Sequence, residues 1–238
     1  MSDGYKKLRL AAAQVTPVFL DRDATIDKAC RIIHEAGEAG ADVIGFPEGF
    51  VPGHPGWLDY LNGVDTKALG FARELFKNAV EIPSPAIDQL SAACRKAGII
   101  AVIGMTEKRV QTTGTMWNTQ LTIDRTGEII GKHQKLVPTI GERLGHTGGT
   151  GRSLKISSAH FGALSALICG ENSNPLATFA MAVDYPVVHV ASWPAHFSPT
   201  SDMAEVSVLV ARNIAYQLKA FVISAFSVVT DELIASYQ

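Results

Sequence analysis

Three residues of unlike chemistry stand at the ends or flanks of apolar runs. Cys169 closes Leu167-Ile168 and precedes Gly170-Glu171-Asn172. Glu48 closes Val43-Ile44-Gly45-Phe46-Pro47, and Lys135 lies in Gly131-Lys132-His133-Gln134-Lys135-Leu136. A thiol, a carboxylate and an ammonium placed in this way can supply a nucleophile, a base and a charge stabiliser. The Cys169 segment reads as a strand-to-helix junction, which presents a side chain and turns the next backbone N–H groups toward an anion. A helix N-terminus there would also lower the thiol pKa.

Each residue has a plainer reading when taken alone. Cys169 is balanced between nucleophile and core residue, Glu48 is an ordinary strand-end carboxylate, and Lys135 belongs with Lys132 and His133 to a solvated basic turn. Glu142 would pair with its neighbour Arg143. The other two thiols, Cys30 and Cys94, fall mid-helix on apolar faces, where cysteine acts as a small hydrophobe.

Apolar periodicity sets out the elements that must position these residues. Strands are expected over 8–15, 43–47, 99–105, 117–124, 129–131, 163–168, 186–191 and 221–228. Helices are expected over 23–39, 86–97, 175–183 and 202–220. Residues 57–79 read as an insertion with a helix in its second half, and the glycine-rich stretch 141–152 as a loop. Runs such as 43–46 and 186–191 are apolar almost throughout, the pattern of strands buried on both faces beneath helices. The chain reads as one α/β domain over residues 1–238.

Of the 238 residues, 47% are hydrophobic and 18% charged, with a formal net charge of −2. That is enough apolar content for a large core, and it lacks the basic excess of a nucleic-acid or membrane-surface binder. No run has the length and apolarity of a membrane span, and the first residues lack a signal-peptide core. Three cysteines at long spacings make neither a disulfide framework nor a Cys-x-x-Cys metal site. The expectation is a cytoplasmic protein.

The joint pattern is more specific than any of its parts. Phe46-Pro47-Glu48, the run Gly131-Lys132-His133-Gln134-Lys135-Leu136-Val137-Pro138-Thr139, Glu142-Arg143-Leu144 and Cys169-Gly170-Glu171-Asn172 form one ordered set. In order and separation this set resembles the nitrilase branch of the carbon–nitrogen hydrolase superfamily. Ala11-Ala12-Ala13-Gln14-Val15 and Trp117-Asn118-Thr119 resemble the same family, so the likeness covers nearly the whole chain. It implies a four-layer αββα sandwich and hydrolysis of a small nitrile to a carboxylic acid and ammonia. On that basis Cys169 would be the nucleophile, passing through a thioimidate and a thioester, and Glu48 the general base. Lys135 would hold the developing negative charge together with the backbone N–H of Gly170. Glu142 would be the family's second glutamate, positioning lysine and substrate. A nitrile carbon is a poor electrophile, and a thiol is the most reactive nucleophile available at neutral pH.

The resemblance implies no metal and no organic cofactor, a small nitrile or amide as substrate, and a dimer-based homo-oligomer. His54, Trp57 and Tyr60 follow the Glu48 strand, and Trp193 and Pro194 follow the strand after Cys169, so both loops would line one mouth. Trp57, Asn172, Trp193 and Pro194 are the candidate substrate contacts, although Trp57 and Trp193 read equally well as packing residues. His133 reads as a supporting or surface residue, and residues 57–75 as a subunit contact near the site. The family's usual last strands have no counterpart before Gln238, so the expected fold is C-terminally short. The run from Pro138 to Leu144 favours the nitrilase branch. An amidase or carbamoyl hydrolase with the same centre stays open, as does a silent, shortened paralogue serving as a binding or assembly module. A redox-sensing thiol is the weakest reading, because no resolving cysteine lies near Cys169.

Overall fold

The computed structural model describes residues 7–111, 114–195 and 202–237. Strand β1 (Leu10–Ala12) leads through helix α1 (Arg22–Glu38) to β2 (Val43–Gly45). The Asp21 carboxylate caps α1 by accepting from the Ala24 N–H at 3.0 Å. A 3₁₀ turn (Gly56–Asp59) and helix α2 (Thr66–Asn78) follow. Helix α3 (Pro85–Ala97) begins on a proline and stops at Gly98, whose φ of +69° suits a residue without a side chain. Next come β3 (Ile100–Lys108), β4 (Met116–Ile123) and β5 (Ile129–Gln134). These strands make one sheet in the order β1-β2-β3-β4-β5, with β1 to β3 parallel and β4 and β5 added antiparallel.

The second sheet runs β6 (Ser157–Ala159), β7 (Gly162–Ile168), β8 (Val188–Trp193) and β9 (Phe221–Phe226), the last three parallel. Helices α4 (Pro175–Ala182) and α5 (Met203–Leu218) connect them, and α6 (Asp231–Tyr237) follows β9. Among the described residues no helix is long and apolar enough to cross a membrane.

Strand alternation sorts the apolar residues into layers. Ile44, Ala101, Ile103 and Leu121 face outward onto Ile26, Ile33, Ile87 and Leu90 of α1 and α3. Val43, Ile100 and Val102 face inward onto Leu164, Val188, Val190 and Ile223 of the second sheet. That sheet's other face packs Leu167 and Ala191 against Met181 of α4 and Ile214 of α5. The result is the expected four-layer αββα sandwich. Polar links close the seam between the sheets. The Ser192 hydroxyl donates to the Phe46 carbonyl at 2.7 Å and accepts from Gln120 Nε2 at 2.7 Å, while the Glu48 N–H donates to the Trp193 carbonyl at 3.2 Å.

The segment read as a solvated basic turn is instead the end of β5. Lys132 and Gln134 alternate onto one face, where both donate to Glu107 at 2.7 and 2.9 Å, and His133 points the other way to Glu171 at 2.8 Å. Carboxylates brought by β3 and by the Cys169–Ser173 turn thus partner these polar groups, even though Lys132 stays exposed. Two 3₁₀ turns, Ile140–Leu144 and Gly151–Ser153, order the stretch expected to be loop. Strand β6 and helix α6 were not anticipated.

Candidate active site

Each of the three candidate side chains stands just beyond the end of a strand. Glu48 follows β2, Lys135 follows β5 and Cys169 follows β7, so the first sheet supplies the charges and the second the sulfur. The backbone carrying Glu48 lies hard against β3 at Gly104, where an added Cβ would press on the Pro47 carbonyl and come 2.8 Å from the Gly49 nitrogen. Lys135 is still held as in a strand, its N–H donating to the Asn118 carbonyl at 2.8 Å.

Cys169 opens a 3₁₀ turn (Cys169–Ser173) with φ +48°, a left-handed conformation that strains a residue with a side chain. Two supports hold it there. Asn172 Nδ2 donates to the carbonyls of Leu167 and Cys169 at 3.1 and 2.9 Å, and its Oδ1 lies 2.8 Å from His189 Nε2. Burial pushes the His189 pKa down to about 3. The neutral ring must therefore donate from Nε2 to Asn172 and accept the Ser165 hydroxyl at Nδ1, 2.8 Å away. The second support is Glu171, which accepts from the Ile168 N–H at 3.1 Å and from the Leu136 N–H at 2.8 Å. One carboxylate thus clips the Cys169 turn to the residue after Lys135.

The charges form a closed cluster. Lys135 Nζ donates to Glu48 Oε1 at 2.6 Å and to Glu142 Oε2 at 2.7 Å, and no side chain of the three is more than 2% exposed. Asn118 Nδ2 donates to both carboxylates, at 2.7 Å to Glu48 and 2.6 Å to Glu142. Glu142 also accepts from the Thr139 N–H at 2.8 Å and lies 3.0 Å from His146 Nδ1. Burial opposes the Lys135 charge, but Glu48, Glu142 and Cys169 outweigh it and raise the pKa above the ordinary lysine value. Burial opposes the Glu142 charge too, yet the His146 hydrogen bond and Lys135 hold its pKa below the usual carboxylate range. Glu142 is therefore an anion and Lys135 a cation.

Cys169 goes the other way. Burial, then the Glu48 carboxylate, push its pKa well above the thiol range, and Lys135 and the Gly170 N–H counter them only in part. The resting sulfur is a thiol, contrary to the lowered pKa expected from a helix N-terminus. The reason is local: a single 3₁₀ turn has little dipole, and the nearest anion is a buried carboxylate. Such a thiol becomes nucleophilic only as a base removes its proton, and the Glu48 carboxylate is among the groups that face it.

A cavity of about 60 Å³ opens on Glu48, Lys135, Glu142 and Cys169 and is also lined by His54 and Pro194. Its size suits the reacting group of a ligand, well below the roughly 300–1,000 Å³ of a pocket that encloses a drug-sized molecule. Glu48, His54 and Glu142 bring their ligand atoms within 4.8 Å of one another, a spacing open to a metal ion. The Lys135 ammonium already bonds both carboxylates, so the positive charge that a metal would bring is supplied there.

Of the expected substrate contacts, Pro194 reaches the cavity, and three are placed elsewhere. Trp57 is fully buried against Phe19, Phe71 and Tyr237 of an aromatic cluster. Trp193 stacks on Phe226 at 5.9 Å and donates to the Ser224 hydroxyl at 3.0 Å. Asn172 spends its amide on the Cys169 turn. Large apolar rings pack where a core is adjacent, and here α2, α6 and β9 provide one. Sequence reasoning missed the supporting roles of Asn118, His146 and Glu171. The signals were present in the four-residue step from Glu142 to His146 and the three-residue step from Ile168 to Glu171.

An αββα sandwich with a buried cysteine turn, two carboxylates and a lysine at the seam of its sheets defines a class of protein. The chain belongs to the carbon–nitrogen hydrolase family, whose model matches residues 9–238. It is 44% identical to a nitrilase from Bacillus sp. (strain OxB-1) over 190 residues, which are 80% of this chain and 54% of that protein. It is 34% identical to an aliphatic nitrilase from Rhodococcus rhodochrous over 236 residues, which are 96% of this chain and 61% of that protein. The chain thus spans between about half and two thirds of the length of these curated relatives. Among solved structures, an amidase of the nitrilase superfamily from Nesterenkonia AN1 shares the fold, with a TM-score of 0.70 at 18% identity. That match covers 92% of this chain and 76% of the amidase.

Proposed function

We propose that this chain hydrolyses a small organic nitrile to a carboxylic acid and ammonia through Cys169. The observation that carries the reading is the convergence of a protonated thiol, a buried carboxylate and a buried ammonium on one cavity. The identity to nitrilases supports the choice of substrate class. As the sulfur attacks the nitrile carbon, Glu48 takes the S–H proton and passes it to the nitrile nitrogen, giving a thioimidate. Water adds, ammonia leaves, and a second water hydrolyses the thioester and restores the thiol. Lys135 and the Gly170 N–H hold the negative charge of each tetrahedral stage. Glu142, itself anionic, fixes the lysine. Self-association into dimers and a cytoplasmic setting belong to the same reading. The exposed apolar side chains Leu176, Phe179 and Val183, on and just beyond α4, offer a surface for association.

The test is ammonia release from a panel of aliphatic and aryl nitriles and their amides, with intact-mass detection of adducts. Nitrile turnover with a transient adduct on Cys169 is the expected result. Turnover of amides alone would replace the nitrilase reading with an amidase. A folded protein with neither ammonia nor adduct would sink both.

A further inference from the structure

We infer that His54 positions the water that hydrolyses the Cys169 thioester, accepting one of its O–H bonds while Glu48 accepts the other. The inference rests on the hydrolytic reading above and adds a residue to it. His54 Nδ1 lies 4.0 Å from Glu48 Oε1, too far for a direct hydrogen bond and a gap that one water spans. His54 Nδ1 is shut off from solvent and has no hydrogen-bond partner among the described residues. Glu48 Oε2 is equally enclosed and has no hydrogen-bond partner among the described residues.

Two of the three Lys135 N–H donors are taken by carboxylates, which leaves the third for the substrate's developing charge, and both Asn118 Nδ2 donors are spent. Burial keeps the His54 ring neutral against the pull of Glu48 and Glu142. With its proton on Nε2, the ring presents Nδ1 to the cavity as an acceptor. Two buried acceptors that need one donor each call for a molecule carrying two, and water is that molecule. Acylation of the sulfur removes the S–H that faces the Glu48 carboxylate, which leaves that carboxylate open to water at the step that requires it.

With both O–H bonds taken up, the water turns a lone pair toward the acyl carbon. The O–H bond to Glu48 breaks, the oxygen bonds the carbon, the C–S bond breaks, and Glu48 returns its proton to sulfur. Thioester and water become carboxylic acid and thiol. His54 neither gains nor loses a proton, and its part is orientation.

The experiment separates the half-reactions with p-nitrophenyl acetate as probe. Nitrophenolate release in the first turnover reports acetylation of Cys169, and the steady phase together with intact mass reports deacylation. His54→Asn keeps an oxygen near the place of Nδ1, and His54→Gln moves it toward the place of Nε2, with both side chains polar. Both variants should acetylate at the wild-type rate. His54→Gln should turn over at least about tenfold more slowly and accumulate acetyl-Cys169, while His54→Asn stays within about threefold of wild type. Equal steady rates in all three proteins, an equal loss in both variants, or a parallel loss of both phases would overturn the water-positioning role. Wild-type release no higher than that of Cys169→Ala would instead overturn the hydrolytic reading, and this inference with it.

Discussion

Replacing Lys135 with methionine, a side chain of similar length and no charge, tests whether the three buried charges act as one unit. The ammonium lies 2.6 and 2.7 Å from its two carboxylates, and exposures of 2% or less leave no solvent to screen the loss. Removing one partner of a buried ion pair costs about 3–5 kcal/mol. Asn118 still donates to both carboxylates in the variant, so a destabilisation near the lower end, about 3 kcal/mol, is expected at about pH 8. Turnover should fall about 10²–10³-fold with the anion stabiliser gone.

The pH dependence is the sharper arm. In the native protein the depressed Glu142 pKa gives stability that is present above the unfolded value of about 4.3 and lost as pH falls below it. The raised Lys135 pKa gives stability that is complete below about 10.4 and lost only as pH rises beyond that value. Both contributions are therefore flat from about pH 5 to 10. In the variant, two uncompensated carboxylates share a site, and one binds a proton more tightly when folded than unfolded. Its stability rises as pH falls, and the deficit should shrink by at least about 1 kcal/mol between about pH 8 and 5.5. Urea unfolding at the two pH values measures it. A deficit under about 1 kcal/mol at the higher pH, or one unchanged at the lower, would refute the reasoning.

Further perturbations address the supports of the site. Cys169→Ala should abolish ammonia release and leave the unfolding midpoint nearly unchanged. Cys30→Ala and Cys94→Ala should keep activity, and inactivation by either would reassign the nucleophile. Because burial and Glu48 raise the Cys169 pKa, alkylation of Cys169 by iodoacetamide should climb past the ordinary thiol range of about 8–9, and a plateau near neutrality would contradict the protonated resting state. Gly104→Ala should displace the backbone of Glu48 and cost about 10²-fold in turnover or more, read from kcat with circular dichroism as the check on folding. Glu171→Gln exchanges one acceptor for a donor between two N–H groups. It should cost about 1–3 kcal/mol in thermal or urea unfolding and lower kcat through misplaced Cys169 and Lys135.

The layered architecture was legible because strands buried on both faces write continuous apolar runs, as in β2, β8 and the start of β3. The four candidate positions could be picked out because three of them fall at strand ends and their order matches one family, and the fold brings all four to one cavity. Legibility failed where a long-range partner decides the outcome. The polar end of β5 looks solvated until Glu107 and Glu171 are brought to its two faces. Trp57 looks like a pocket wall until Phe71 and Tyr237 close over it, two segments far apart in the chain. Asn118 reads as one polar residue in a strand, and only the fold reveals that two carboxylates share its amide. The thiol pKa was misjudged because a local cue, the turn after β7, was outweighed by burial between the layers and then by a carboxylate carried on the other sheet.

That division of labour between the sheets sets how the molecule can fail. Ser192, Gln120 and the Glu48 N–H fasten the sheets at one edge of the site, and Glu171 fastens them at another. A partial opening that slid the β6–β9 layer away would leave Glu48, Lys135 and Glu142 assembled and carry the sulfur off. Competence is then a readout of how the two layers are docked. Activity should vanish at a lower denaturant concentration than the one that exposes the amides of β3 and β4 to exchange. A ligand spanning the seam would tighten that docking by mass action, adding stability to a contact that neither sheet makes alone.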